Sequence, residues 1–292
     1  MSAFEKDFTE DGWDTGELGI WYGAWTPDQF EGAASASDLN KLDKQKELGW
    51  DVTPAYFGTS IRFRDIAEND WVLVYLRTRR CLGLAQLASP LLSSDSHFLN
   101  RDGEVFKFRK ITNKKFFRID ELPDAFQLLP AQGRSNVYEL HSMQQHVALL
   151  VNFDTPGEIF AHLKTLDLSA LLDVLGPAGW ETFCLAYLAA TENFVLTGLS
   201  PGRTLAVFDL VGRNHSTGGR VYAQCKKDSR AVEIDAEFLH AAEVARDVAL
   251  YFFAFSGVVT APPNSVRVFT KEDAVKWATT GPGRRYIELL LS

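Results

Sequence analysis

An aspartate, a glutamine and a lysine on two adjacent stretches carry the most specific chemistry in this 292-residue chain. The stretches are Thr204-Leu-Ala-Val-Phe-Asp209-Leu-Val-Gly212 and Val221-Tyr-Ala-Gln224-Cys-Lys226-Lys227. Apolar and β-branched residues dominate both. They predict a hairpin of strands over 205–211 and 221–226 around the Gly/Asn/Ser loop 212–219. Side chains alternate along a strand, so Leu205, Val207, Asp209 and Val211 share one face, and Tyr222, Gln224 and Lys226 share another. A carboxylate among three apolar residues is costly to bury unless something pairs with it. Closing the hairpin brings Gln224 and Lys226 to Asp209.

That set suits hydrolysis of a phosphodiester. Mg²⁺ is a hard cation that takes oxygen ligands and keeps several waters. Asp209 and the Gln224 side-chain carbonyl supply such oxygens, and the backbone carbonyl of Cys225 adds another. A bound metal polarises phosphate and activates water, while the Lys226 ammonium orients that water or neutralises developing charge. Glu181 joins the set: on a helix over 180–190 it heads the apolar stripe of Cys184, Leu185 and Leu188. The same residues also fit a plainer reading. Asp209 and Lys226 make an ordinary cross-strand ion pair, and a glutamate in a helix's first turn is favoured by the dipole alone.

These residues must be positioned by the second half of the chain. Helices are expected over 157–166, 168–175 and 180–190, then a strand over 194–199 and the hairpin. A helix over 235–247, strands over 249–255 and 265–269, and a helix over 271–279 follow. Thr270 and Asp273 make a capping-box-like start for that last helix. The order α-β-β-β-α-β is α/β in type. Asp154-Thr155-Pro156-Gly157 marks a boundary, which sets the expected domains at 1–152 and 153–292.

From about residue 168 to 279 the chain resembles the PD-(D/E)xK nuclease superfamily, and within it the Mrr-like restriction endonucleases, where Gln commonly replaces the second acid. Phe208-Asp209-Leu210-Val211-Gly212 and Ala223-Gln224-Cys225-Lys226 carry the resemblance, with Glu181 as the helix acid. Phe208 stands where the family motif has proline. The resemblance implies Mg²⁺-dependent DNA cleavage, with Asp209, Gln224, Lys226 and Glu181 as the catalytic group. A homodimer is expected by the same analogy, since cutting both strands takes two sites.

The first half reads as strands and loops, with one helix expected over 38–48. Residues 71–76 (WVLVYL) and 81–87 (CLGLAQL) flank the basic turn Arg77-Thr78-Arg79-Arg80 as a hairpin. A second hairpin is expected from strands over 105–111 and 116–119, around a turn at 112–115. A small β-barrel is the predicted form. The stretch Asn69-Asp70-Trp71-Val72-Leu73-Val74-Tyr75-Leu76 followed by Gly83-Leu84-Ala85-Gln86-Leu87 resembles the EVE/PUA-like barrels over roughly residues 18–140. That resemblance implies a reader of a modified or flipped base, with Trp21, Tyr22, Trp25 and Tyr56 lining its pocket. Stacking on an aromatic ring contributes about 1–3 kcal/mol per base, which offsets the few kcal/mol of extracting one from a duplex. Equally, these rings are ordinary barrel core.

Thirty Lys and Arg against 38 Asp and Glu give a net charge of −8, which alone argues against nucleic acid. Locally the balance reverses. Arg101, Lys107, Arg109, Lys110, Lys114, Lys115 and Arg118 face only Asp102, Glu104 and Asp120, and Arg79 and Arg80 add a second cluster. Arg134, Ser135 and Asn136 form a polar loop suited to phosphate or base edges. Basic clusters on hairpin tips give salt-sensitive phosphate affinity; a solvated charged face is the alternative. The longest apolar runs are eight residues, too short to span a bilayer. Three scattered cysteines without CxxC spacing, and an acidic start with no apolar leader, set the expectation of a cytoplasmic protein. The expected protein is a two-domain, modification-dependent DNA endonuclease of prokaryotic defence. The alternatives are a non-cutting nucleic-acid sensor on a nuclease-like fold and an RNA-directed nuclease.

Overall fold

Stretches rich in β-branched and aromatic residues build two separate sheets. The computed structural model describes residues 8–20, 32–34, 38, 62–90, 92–93, 107–127, 143–197, 207–244 and 248–290. These group into two units. One holds the described residues up to 122 together with 150–154; the other holds 123–127, 143–149 and the described residues from 155 on. The architecture is mixed α/β, with a curled antiparallel sheet in the first unit and a mixed sheet in the second. Trp21, Tyr22, Trp25 and Tyr56, the loop Arg134, Ser135 and Asn136, and nearly all of the helix expected over 38–48 lie outside the described residues.

In the first unit helix α1 (Phe8–Thr15) leads into β1 (Glu17–Ile20). Strands β2 (Trp71–Leu76) and β3 (Cys81–Leu87) form the expected hairpin around residues 77–80. β4 (Leu92–Ser93) and β5 (Lys107–Arg118) complete a sheet of order β1-β5-β3-β2, with β4 also on β5. The second expected hairpin is corrected: β5 runs unbroken through residues 112–115. Those residues form a bulge rather than a turn, because the register with β3 shifts between Leu84 and Gln86. Asn113 takes a left-handed φ of 49° there and donates from Nδ2 to Gln86 Oε1 at 2.7 Å. Turns and bulges ask for the same residue types, which is why the sequence misleads at this point. Gly83 has a packing reason: a Cβ would stand 2.8 Å from the Trp13 ring, and Trp13 is the fully buried centre of this unit's core.

The second unit opens with α2 (Asp124–Gln127) and α3 (Gln144–Asn152), whose last turn groups with the first unit. Thr155, read from sequence as a boundary residue, caps α4 (Pro156–Leu163) in a capping box with Glu158. α5 (Leu168–Val174), α6 (Pro177–Thr191), β6 (Phe194–Leu196), β7 (Leu210–Asn214) and β8 (Arg220–Lys226) follow. After them come α7 (Ala236–Val244), β9 (Val248–Ala254), β10 (Val266–Phe269), α8 (Lys271–Ala278) and α9 (Gly281–Leu290). The sheet order is β10-β9-β8-β7-β6; β6, β7 and β8 are antiparallel neighbours, and β8, β9 and β10 run parallel. A helix between β8 and β9 is what a parallel pairing requires, and α7 provides it.

Strand alternation sends the two faces of this sheet to different helices. Val221, Ala223, Cys225, Tyr251 and Phe253 pack with Trp180, Phe183, Cys184 and Leu188 of α6. Leu250, Phe252 and Ala254 pack with Phe238 of α7, and Tyr222 and Phe208 lie against that cluster. On both faces of β8, then, a helix covers the strand. Among the described residues no helix is long and apolar enough to cross a membrane.

Candidate active site

Asp209 does not lie inside a strand as its neighbours suggested. β7 begins one residue later, and the hairpin register is Leu210 opposite Ala223 and Gly212 opposite Val221. Gly212 therefore belongs to the strand, not the loop: a Cβ there would collide with the Phe194 ring and the Val195 carbonyl of β6. The turn is tightened instead by Asn214, whose Oδ1 accepts from the Ser216 and Thr217 amides at 3.0 and 2.9 Å.

The mouth of this hairpin creates the site. The Asp209 amide donates to the Ala223 carbonyl at 2.9 Å, the last ladder bond. Beyond it the Cys225 N–H has no strand partner, and the Asp209 carboxylate takes that bond at 2.6 Å. The Cys225 carbonyl lies on the same edge of β8, and among the described residues it has no ladder partner either. Its thiol points to the opposite face, buried in the α6 cluster with Cys184. Gln224 and Lys226 project toward the α7 side. Both reach Asp235, the residue just before α7: Gln224 Nε2 donates to its Oδ2 at 2.7 Å, and Lys226 Nζ stands 3.1 Å from the same oxygen. Asp235 went unnoticed in the sequence. A loop residue nine positions past Lys226 has no periodicity to announce it.

Gln224 is 5 % exposed, and its Oε1 is buried without a hydrogen-bond partner. Leaving a buried carbonyl unpaired costs about 1–3 kcal/mol, so this oxygen stands ready for a ligand. A cleft of about 330 Å³ opens beside it, lined by Val207, Gln224, Asp235, Ala236 and Glu237.

The electrostatics join Glu181 to this group. Burial, and then the Asp209 charge, push the Glu181 carboxyl up to about 7. Burial also raises Asp209; the Cys225 N–H and Lys226 oppose the rise, and Asp235 adds to it. Two crowded carboxyls with raised proton affinity are what a site for a cation looks like before the cation is bound. Among the described residues no three His, Cys, Asp or Glu side chains gather around one point. The donors here are of another kind: one carboxylate, one amide carbonyl, one backbone carbonyl. Hard divalent cations accept such oxygens and fill the remaining positions with water. The residues present therefore fit Mg²⁺.

Lys227 turns away from the site. It lies 3.1 Å from the centre of the Phe255 ring and donates to the Leu172 carbonyl at 3.0 Å, and burial lowers its ammonium to about 7. His146 is 1 % exposed, with both ring nitrogens unpartnered and its ring edge-on to Phe126. Burial, helped by the Lys227 charge, holds His146 down to about 4. The unfolded value is near 6.5, so the unfolded state takes up a proton first as pH falls. Stability is therefore lost between about pH 6.5 and 4, reaching roughly 2–3 kcal/mol near pH 4.5. His146→Leu should lose correspondingly less than wild type between pH 7 and 4.5 in urea denaturation. Equal losses in the two proteins would contradict this role.

The basic residues of the first unit are placed unevenly. Arg109, expected at a nucleic-acid surface, is 2 % exposed; it donates to the Ser89 carbonyl at 3.0 Å and to the Ile66 carbonyl, and belongs to the interior. Lys115 donates to the Val151 carbonyl at 2.6 Å and pairs with Asp154 at 2.7 Å. Lys114 reaches the Trp13 carbonyl at the end of α1 at 2.8 Å, and Arg79 pairs with Asp14. Arg80 is exposed in the β2–β3 turn with a φ of 53°. Lys107 is placed by its backbone in β5. Among the described cations, backbone carbonyls and carboxylates already engage Arg79, Arg109, Lys114 and Lys115. The chain matches no family model, no curated protein and no solved structure, so its chemistry must be read from these side chains themselves.

Proposed function

We propose that the protein is a Mg²⁺-dependent phosphodiesterase acting on DNA, with its active site at the mouth of the β7–β8 hairpin. The observation that carries this reading is the buried, unpartnered Oε1 of Gln224, on the residue next to Cys225, whose N–H the Asp209 carboxylate holds. The order α6-β6-β7-β8-α7-β9, with three antiparallel strands and a parallel fourth, supports the likeness to the PD-(D/E)xK nucleases. Asp209, Gln224 and the Cys225 carbonyl would hold the ion. Bound there, Mg²⁺ supplies Lewis-acid polarisation of the scissile phosphate and a more acidic water. Lys226 stands at the rim, where its ammonium orients the attacking water or meets charge gathering on the phosphate. Glu181, near half-protonation at neutral pH, is suited to accept a proton inside the site.

The finer parts of the reading are a reader-and-cutter division at about residue 152, an EVE/PUA-like first domain that selects a modified base, a homodimer that cuts both strands, and a cytoplasmic defence role. The curled antiparallel sheet is compatible with the reader, and exposed Arg80 stands in its β2–β3 turn where it could meet phosphate, while Arg118 is already paired with Asp120. The test is a Mg²⁺ cleavage assay of the full chain on plain, methylated, hydroxymethylated and glucosylated DNA, with RNA alongside. One modified DNA should be cut faster than the plain duplex. Faster cutting of RNA would establish the RNA-directed alternative, and binding without cutting the sensor alternative.

A further inference from the structure

We propose that Asp235 is a positioning residue, whose carboxylate holds the Gln224 amide in the one orientation that leaves the carbonyl oxygen for a metal ion. The inference rests on the nuclease reading of Asp209, Gln224 and Lys226. An amide presents an NH₂ and an oxygen of nearly the same shape, so a glutamine at this place has no intrinsic reason to offer its oxygen. A glutamate would offer one whichever way it turned. With glutamine, something must choose.

Asp235 makes the choice because an ionised carboxylate only accepts. Its Oδ2 takes the Gln224 Nε2 hydrogen at 2.7 Å and stands 3.1 Å from Lys226 Nζ. Turning the amide over would set Oε1 against Oδ2, oxygen against oxygen, and would break this bond. Oε1 is thereby directed elsewhere, buried and unpaired. Asp235 directly precedes α7, where an aspartate ordinarily accepts from the N–H groups of the helix's own first turn. Here the bonds to its carboxylate come from β8 side chains, while its backbone carbonyl still takes the Leu239 N–H at 3.1 Å. The start of the helix stays tied and the carboxylate is released to the strand. One residue thus sets both the amide and the ammonium of the site. Partners of this kind, outside the ligands themselves, typically account for about 10–100-fold in metal affinity.

Mn²⁺ titration of the full chain by calorimetry tests this without reference to activity. Asp235→Ala should weaken Mn²⁺ binding by about tenfold. Asp235→Asn, whose side-chain oxygen still accepts from Nε2, should keep affinity near wild type. In a Gln224→Glu background Asp235→Ala should change nothing, because orientation no longer matters. If Asp235→Ala binds as tightly as wild type, or if the loss persists in the Gln224→Glu background, the positioning role is overturned while the nuclease reading stands. If Asp235→Asn is as weak as Asp235→Ala, charge and not orientation acts, and the role is again overturned. A wild-type chain that takes up no Mn²⁺ overturns the nuclease reading, and the positioning role with it.

Discussion

Replacing Lys226 with alanine should lower Mg²⁺-dependent DNA cleavage by about 10²–10³-fold, with DNA affinity within a few-fold of wild type. The size follows from where the ammonium stands. Charge that gathers on a phosphate during hydrolysis must be met by a donor already in place, and removing one such donor commonly costs 10²–10³ in rate. Lys226 is the ammonium of the hairpin mouth; Lys227 beside it is turned into the Phe255 ring and the Leu172 carbonyl. Folding should hardly notice the change. Lys226 is about one-third exposed, and its pair with Asp235 is of the half-exposed kind that contributes about 0–1 kcal/mol. Binding should hardly notice either, since loss of one phosphate contact reduces the salt slope by about one charge. Single-turnover cleavage and a filter-binding titration check the two halves together. A Lys226→Ala protein that cuts like wild type removes Lys226 from the catalytic group.

Trp180→Ala should destabilise the second unit by about 4 kcal/mol, lowering its thermal midpoint by roughly 10 °C. The indole is fully buried. It stacks on Phe183 at 5.6 Å, meets Phe255 edge-on at 5.0 Å and lies 6.4 Å from Phe269. Its Nε1 donates to the Phe253 carbonyl at 3.5 Å. These contacts fix the first turn of α6 on the sheet, and Glu181 is the next residue. Loss of the ring therefore leaves a cavity under the helix that brings Glu181 to Asp209. Calorimetry gives the midpoint, and urea titration gives the free energy. A change under about 1 kcal/mol, the size of an ordinary surface substitution, would contradict the packing described.

The sequence was most informative where burial on both faces imposes a pattern. β8, β9 and α6 follow from apolar alternation and helical spacing, and the Thr270–Asp273 box does cap α8, the Thr270 amide donating to Asp273 at 2.9 Å. Asp209 and Glu181 stand out in the sequence because each is a carboxylate among apolar residues, which asks for a partner; Gln224 shares its face with Tyr222 and Lys226, and the structure bonds it to Asp235. Element ends were less legible. Gly212 and Asn113 are residues of turns by type, and one is a strand residue under a ring, the other a bulge. The elements expected from sequence end at residue 279 and leave out α9, where Gly283 packs against the Trp277 carbonyl and no side chain fits. Arg109 shows the limit for charge: a count of cations along a strand cannot tell which are turned inward to carbonyls. Asp235 shows the limit for loops, since only the return of α7 beside β8 brings it to Gln224.

The most direct measurement is cleavage of supercoiled plasmid by the full chain, in Mg²⁺ and in EDTA, with Asp209→Asn as the paired protein. The account predicts nicking or linearisation by wild type in Mg²⁺, none in EDTA, and none by Asp209→Asn at unchanged thermal stability. Cleavage by Asp209→Asn at the wild-type rate would contradict it.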